Sequence, residues 1–353
     1  MSSRSSRKLR IGVAGLGRIG WDFHCKVLGH HRDWQLLAVA DPAPERRREA
    51  QQVYGCQAFE RFEDMLQQAD LDAVAIATPT HFHRQQALAA IRRGLHIMLE
   101  KPMAPSLADA QAIVRAAKKA KRVLTVYQPH RAAAYFQHLQ KIIDSGRIGQ
   151  VYHIRRGLFR FVRRDDWQSL TKYGGGMLNN YGAHCLDQVL ALSGYDITKV
   201  FCDLRRVASL GDAEDVVKVV YQTRSGAIGE VDINQATLHT PYDLEVYGTR
   251  GVITMRSDEF TIRFLRPKDL KTKTLNTSLA SAGRKYPSDD IKDKREVVKI
   301  DPKLEVDVYR DLARAIRSGG NPFVPPEQTL QVMRIMAWCR KESGRITQTP
   351  LLS

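Results

Sequence analysis

Leu9-Arg10-Ile11-Gly12-Val13-Ala14-Gly15-Leu16-Gly17-Arg18-Ile19-Gly20 is the stretch that decides the fold. A largely apolar strand pattern, Leu9–Ala14, runs straight into G-x-G-x-x-G, and a helical pattern follows through His31. Alone, such a glycine pattern is weak; between a strand and a helix it acquires a physical meaning. The glycines let the backbone turn tightly and approach a pyrophosphate, which meets positive partial charge at the helix N-terminus. A second strand, Trp34–Ala40, ends at Asp41, 21 residues after Gly20. An aspartate there can accept hydrogen bonds from a ribose diol and would repel a 2′-phosphate. The cofactor expected is therefore NAD, held by Gly15, Gly17, Arg18, Ile19, Gly20 and Asp41. NADP is the alternative, since Arg46 and Arg47 could neutralise a phosphate.

Outward from this unit the strand–helix alternation continues to residue 128. Helix Pro44–Tyr54 precedes a strand over Asp72–Ala77, which Thr78-Pro79-Thr80 stops. Helix His83–Arg93 ends at Gly94, and strand His96–Leu99 runs into Glu100-Lys101-Pro102. Ser106 caps a helix to Lys119 with Asp109 in the capping-box position, and Val123–Tyr127 is the last strand. Such alternation argues for a parallel sheet covered on both faces. After Pro129 the pattern changes to a helix over Ala132–Ser145, a strand over Val151–Phe161 and the glycine cluster Gly174-Gly175-Gly176. That cluster introduces helix Asn179–Leu192. Alternating strands follow, among them Val216–Gln222, Ile228–Asn234 and Leu244–Tyr247, with hairpin-turn compositions at 224–226 and 248–251. Residues 266–295 read as an exposed, lysine-rich excursion, and two helices near Glu305–Ser318 and Pro326–Ser343 end the chain. The division expected is 1–128, with 1–8 a basic tail, and 129–353.

Composition narrows the class. The chain has 353 residues, enough for two cores, with 43% hydrophobic and 26% charged residues and a net charge of +17. The five cysteines are scattered and odd in number, with no zinc-ligand spacing, so neither a disulfide framework nor a metal site is expected. A reducing, cytoplasmic setting fits them. No apolar run approaches a membrane span, and the basic start is not followed by an apolar signal core. The cationic residues are dispersed and no nucleic-acid-binding motif accompanies them, so specific nucleic-acid binding is not expected.

Four motifs occur in order: the glycine fingerprint, Ala-Thr-Pro-Thr-His-Phe-His at 77–83, Glu100-Lys101-Pro102, and Gly174-Gly175-Gly176-Met-Leu-Asn-Asn-Tyr-Gly-Ala-His184-Cys-Leu-Asp187. In this order they resemble the glucose–fructose oxidoreductase/inositol dehydrogenase/MocA family across nearly the whole chain. The resemblance implies an α/β protein: an N-terminal Rossmann dinucleotide-binding domain, then an α+β domain with a large open-faced, mostly antiparallel sheet. It also implies NAD(P)-dependent redox chemistry at carbinol carbons of sugars, cyclitols and related compounds. Assembly through the open sheet, as a homodimer or homotetramer, is implied too. The resemblance further suggests a cis Lys101–Pro102 bond.

The residues allow that chemistry on their own terms. Oxidising an alcohol needs its carbinol hydrogen aimed at the nicotinamide and a group to take the hydroxyl proton. Lys101 follows a strand at its carboxyl end, where an ammonium can orient a hydroxyl and stabilise alkoxide charge. Asn180, His184 and Asp187 stand at i, i+4 and i+7, one face of a helix. His184 is the acid/base candidate, having an ordinary pKa near neutrality. Asn180 departs from the aspartate common in the family. It keeps a hydrogen-bonding oxygen but cannot take a proton, so its role is to orient substrate or Lys101. Asp187 is expected to orient His184 or bind substrate, with a local ion pair as the alternative. Thr78, Pro79, His83 and Glu100 are expected beside the cofactor. Gln128 and Arg131 contact cofactor or substrate, or join the domains. Arg163 and Arg164 with Trp167 suggest a clamp for an anionic or nucleotide-linked sugar, the arginines taking the charge and Trp167 stacking on the sugar. Two other functions compete with the dehydrogenase: NAD-dependent glycoside hydrolysis through transient oxidation, and a non-catalytic dinucleotide sensor.

Overall fold

A computed structural model of the chain describes residues 7–277, 279, 289, 291–344 and 346–349. Most of the basic tail and part of the excursion at 266–295 lie outside them. Six parallel strands form the first sheet: β1 (Leu9–Ala14), β2 (Trp34–Ala40), β3 (Gln57–Phe59), β4 (Ala73–Ile76), β5 (His96–Leu99) and β6 (Leu124–Val126). Their order is β3-β2-β1-β4-β5-β6. All four residues of β4 are buried, as a strand covered on both faces requires. The order reverses between β1 and β4, where an open parallel sheet offers its carboxyl edge to ligands. Strand β3 and helix Phe62–Gln68 are additions to the sequence reading. A three-residue strand is too short to show a period.

The turn after β1 explains its glycines. Gly15 takes φ +87°, a left-handed conformation, and its N–H donates to the Ala40 carbonyl at 2.8 Å. A Cβ on Gly20 would lie 1.8 Å from the Gly15 carbonyl oxygen, so only glycine fits there. The helix expected through His31 is instead a π-helix, Gly20–Cys25, continued by one α-turn, Lys26–Gly29. Ser106 caps its helix as expected, its Oγ accepting the Asp109 N–H at 3.1 Å.

The second sheet has nine strands: β7 (Val151–Phe159), β8 (Ile197–Arg206), β9 (Val216–Thr223), β10 (Ile228–Asn234), β11 (Leu244–Gly248), β12 (Gly251–Arg256), β13 (Glu259–Phe264), β14 (Lys294–Lys299) and β15 (Thr347–Gln348). Only β7/β10 and β8/β15 pair in parallel. Helices Ala134–Asp144, Ala183–Ser193 and Pro326–Glu342 contribute to the core that covers one face, joining Leu139, Leu186, Val189 and Met336 to Ile154, Val219, Val231 and Val246 of the sheet. The other face has a polar centre. Lys218 pairs with Glu230 at 2.5 Å and Asp232 at 2.8 Å, and Arg155 pairs with Glu245 at 2.8 Å. Burial raises the Glu230 carboxyl pKa, but hydrogen bonds from Lys218 and Arg155 outweigh it and hold the group at about 2.

The boundary expected at residue 128 is crossed by the later part of the chain. Helix Val308–Ser318 returns to the first sheet, where Tyr309, Leu312 and Ala313 join Trp34, Val39 and Met98 in one core. A helix so far along the chain carries no sequence mark of the sheet on which it packs. Among the described residues no helix is long and apolar enough to cross a membrane.

Candidate active site

A cleft of about 870 Å³ opens at the carboxyl ends of β1 and β4. Gly15, Gly17, Arg18, Ile19, Asp41, Thr78, Pro79, Glu100 and Lys101 line it, together with Asp166, Trp167 and Gln168 of the segment after β7. Of the fingerprint, Gly15, Gly17, Arg18 and Ile19 face the cleft, whereas Leu16 is buried and Gly20 serves close packing inside the turn. A Cβ on Gly17 would meet nothing within 4 Å and would stand in open space at the turn. Asp41 is buried, with Oδ2 accepting the Leu16 N–H at 2.7 Å and Oδ1 the Ala43 N–H at 2.9 Å. Each oxygen keeps acceptor capacity for a ribose hydroxyl. Arg46 stands 3.6 Å from Asp41 and also lines the cleft. The bare glycine turn, the carboxylate and the helix start fit a dinucleotide.

At the inner end, Lys101 follows β5 and its Nζ donates to the backbone carbonyl of Asn180 at 2.8 Å. The Lys101–Pro102 bond is cis. Burial lowers the Lys101 pKa; Glu100 opposes that, while Arg18 and Arg164 add to it. The contact to Lys101 is thus made by the Asn180 main chain. Its side chain points elsewhere, Nδ2 donating to Gln168 Oε1 at 3.3 Å. That amide donor is what an aspartate would lack.

The helix carrying His184 begins as a π-helix, Leu178–Gly182, before the α-helix Ala183–Ser193. Such widened turns recur at functional sites. Glu214 anchors the start, its Oε1 accepting the Leu178 N–H at 3.0 Å. Gly176, at φ +102°, clears the same carboxylate, which a Cβ would approach to 2.3 Å. His184 is buried with Nδ1 2.7 Å from Gln128 Oε1 and its ring 4.6 Å from that of His130. A carbonyl oxygen only accepts, so Nδ1 carries the proton and Nε2 the lone pair. Burial, then the charges of Lys101 and His130, hold the His184 pKa well below the usual histidine range. Burial and nearby Arg156 and Lys101 push His130 down to about 4.

Four expectations change. Gln128, expected at the cofactor, is 1% exposed and serves as the partner of His184. Asp187 takes the ion-pair alternative rather than orienting His184 or binding substrate: it is wholly buried, and its two oxygens accept from Arg131 Nε at 2.7 Å and Arg131 Nη2. The i+7 position turns it toward the first residues after β6, where Arg131 lies. His83, expected as a cofactor wall, is buried between two turns, Nε2 2.9 Å from the Thr78 carbonyl and Nδ1 3.0 Å from that of Pro102. It braces the loops that line the cleft. Arg163 is exposed and outside the cleft lining, and Arg164 is engaged by Asp166 at 2.7 Å. Trp167 does line it.

The Arg131–Asp187 pair fixes helix Ala183–Ser193 from below. Replacing Asp187 with leucine should cost about 3–5 kcal/mol, because the Arg131 charge stays buried without its partner. Urea unfolding measures this, and a loss below about 1 kcal/mol would deny the pair that anchoring role.

Sequence reading missed His24, Tyr309, Gln168 and Glu214. His24 and Tyr309 are 285 residues apart and meet only through the returning C-terminal helix. No spacing could announce them.

Residues 9–128 match the model of the oxidoreductase family with an NAD-binding Rossmann fold, and residues 136–254 that of the GFO/IDH/MocA C-terminal domain. Inositol 2-dehydrogenase of Rhizobium meliloti is 30% identical over 254 residues, 69% of this chain and 74% of that protein. Myo-inositol 2-dehydrogenase of Thermotoga maritima is 28% identical over 256 residues, with the same two shares. Among solved structures, the WlbA dehydrogenase of Bordetella pertussis, in complex with NADH and UDP-GlcNAcA, superposes with a TM-score of 0.75. It is 23% identical, with 96% of this chain and 97% of that one covered.

Proposed function

The chain belongs to the GFO/IDH/MocA family of NAD(P)-dependent oxidoreductases, and from that premise we propose that it transfers hydride at a carbinol carbon of a sugar, cyclitol or sugar derivative. Lys101 lines the dinucleotide cleft and its Nζ is tied to the carbonyl of Asn180, four residues before His184 on the same helical run, and that juxtaposition carries this reading. Lys101 is near enough to His184 for its charge to disfavour a second one there. A nicotinamide held in the cleft supplies the hydride acceptor. Lys101 then orients the substrate hydroxyl and stabilises its developing negative charge, tethered by the Asn180 carbonyl. His184, neutral and with a free Nε2, takes the hydroxyl proton. The inositol dehydrogenases support a polyol substrate; the hydrolytic and sensing alternatives have no support among the relatives.

Absorbance at the reduced-nicotinamide band tests this, using NAD or NADP with a panel of sugars, cyclitols, uronates and nucleotide-linked sugars. Reduction with at least one polyol is expected. Tight dinucleotide binding with no reduction across the panel, nucleotide-linked sugars included, would overturn the proposal. A second copy seated on the uncovered face of the nine-stranded sheet belongs to the same reading, and the mass in solution decides it.

A further inference from the structure

Beneath the Lys101 turn runs a buried chain of polar groups that the reaction as described does not use. His24, wholly buried in the π-helix Gly20–Cys25, has Nε2 3.1 Å from Glu100 Oε1 and Nδ1 2.6 Å from the Tyr309 hydroxyl. Glu100 Oε2 in turn accepts the Lys101 N–H at 3.0 Å. The donor directions follow from chemistry. An ionised carboxylate only accepts, so His24 Nε2 carries the proton and donates to Glu100. That leaves Nδ1 a lone pair, which the Tyr309 hydroxyl must meet as donor. With these directions each of the three side chains meets a partner. Tyr309 is itself fixed, since its carbonyl accepts Trp34 Nε1 at 2.8 Å, and Tyr127 lies against the His24 ring at 4.8 Å.

We propose that His24 and Tyr309 are positioning residues: through one continuous hydrogen-bond chain they fix the Glu100 carboxylate beside Lys101 and so set the charge environment of that lysine. This rests on the reading of Lys101 given above. Glu100 faces His24, Tyr309, Tyr127, His83 and Lys101. Lys101 faces Glu100, Arg18, Arg164, His184 and His130. Among these neighbours of Lys101 only Glu100 favours its charged form, so a displaced or neutralised Glu100 leaves burial and two arginines unopposed. Helix Val308–Ser318 thereby reaches the reacting end of the cleft without lining it.

The test compares Tyr309→Phe, which removes one oxygen, with His24→Leu, His24→Gln and Glu100→Gln. The proton affinity of Lys101 is read directly, from the pH dependence of its acetylation by acetic anhydride followed by peptide mass spectrometry. The pH profile of kcat/KM is measured alongside. Tyr309→Phe and His24→Leu should each lower that affinity by about three- to tenfold, Glu100→Gln more, and His24→Gln, which can still donate and accept, should restore most of it. An unmoved labelling midpoint in both Tyr309→Phe and His24→Leu would overturn the proposal whatever the activity does. A moved midpoint with an unmoved activity profile would uphold it and show that Lys101 stays charged across the working range. If His24→Leu fails to fold, Tyr309→Phe against Glu100→Gln decides alone.

Discussion

Lys101→Ala should lower kcat for polyol oxidation by roughly a thousandfold while leaving NADH affinity within about threefold of the parent. Lys101 Nζ is tied to the Asn180 carbonyl, at the inner end, whereas the pyrophosphate turn and Asp41 hold their geometry through main-chain bonds that do not involve it. An ammonium that meets charge developing on the substrate oxygen acts chiefly in the transition state, so its removal falls on kcat. Burial has already made the charge on this lysine less favourable, which leaves little water to screen what it does. Stopped-flow kinetics with the substrate found in the polyol panel, beside NADH fluorescence titration, checks both halves. A loss confined to KM would make Lys101 a binding group only. An equal loss of NADH affinity would place its main contact with the dinucleotide.

The legible part of this molecule is the part set by local rules. The glycine fingerprint, Asp41 at the end of β2, the Ser106 cap and the hairpin turns at 224–226 and 248–251 each follow from what the backbone requires within a few residues. The helix carrying His184 was legible too, since it follows the glycine cluster as its pattern predicts, although its first turn is a π-helix. Asp187 shows where the spacing argument stops. One face of a helix tells which residues look the same way, but not whether they look at a cleft or at Arg131. Asn180 shows a second limit, since it works on Lys101 through a main-chain carbonyl that every residue type possesses. Tyr309 shows the third. Its apolar helix pattern predicts burial, and only the folded chain says that it is buried under the first sheet against His24.

Gln128→Glu should turn His184 into a group that titrates in the working range. In the parent, Gln128 Oε1 accepts the hydrogen bond from Nδ1 without offering charge, and burial with the charge of Lys101 keeps the ring neutral well below its usual pKa. Its Nε2 is thus available as a base throughout the neutral range, and the parent's oxidation rate should show no fall through pH 7 to 6 that belongs to this histidine. A carboxylate at the Gln128 position keeps the hydrogen bond to Nδ1 and adds a negative charge at the same distance, which favours the imidazolium. The sign is then fixed: the histidine pKa rises, the neutral base is lost as pH falls through the raised value, and the acid limb of kcat/KM moves up by about one to two pH units. At alkaline pH the variant should recover most of the parent's rate. His184→Ala lacks the base at every pH, so its rate should lie about 10²- to 10⁴-fold below the parent across the whole profile. These two variants separate the protonation state of the ring from its presence. If Gln128→Glu lowers the rate equally at all pH values, Gln128 acts on the position of the ring or of the dinucleotide, and the assigned tautomer no longer explains how His184 works.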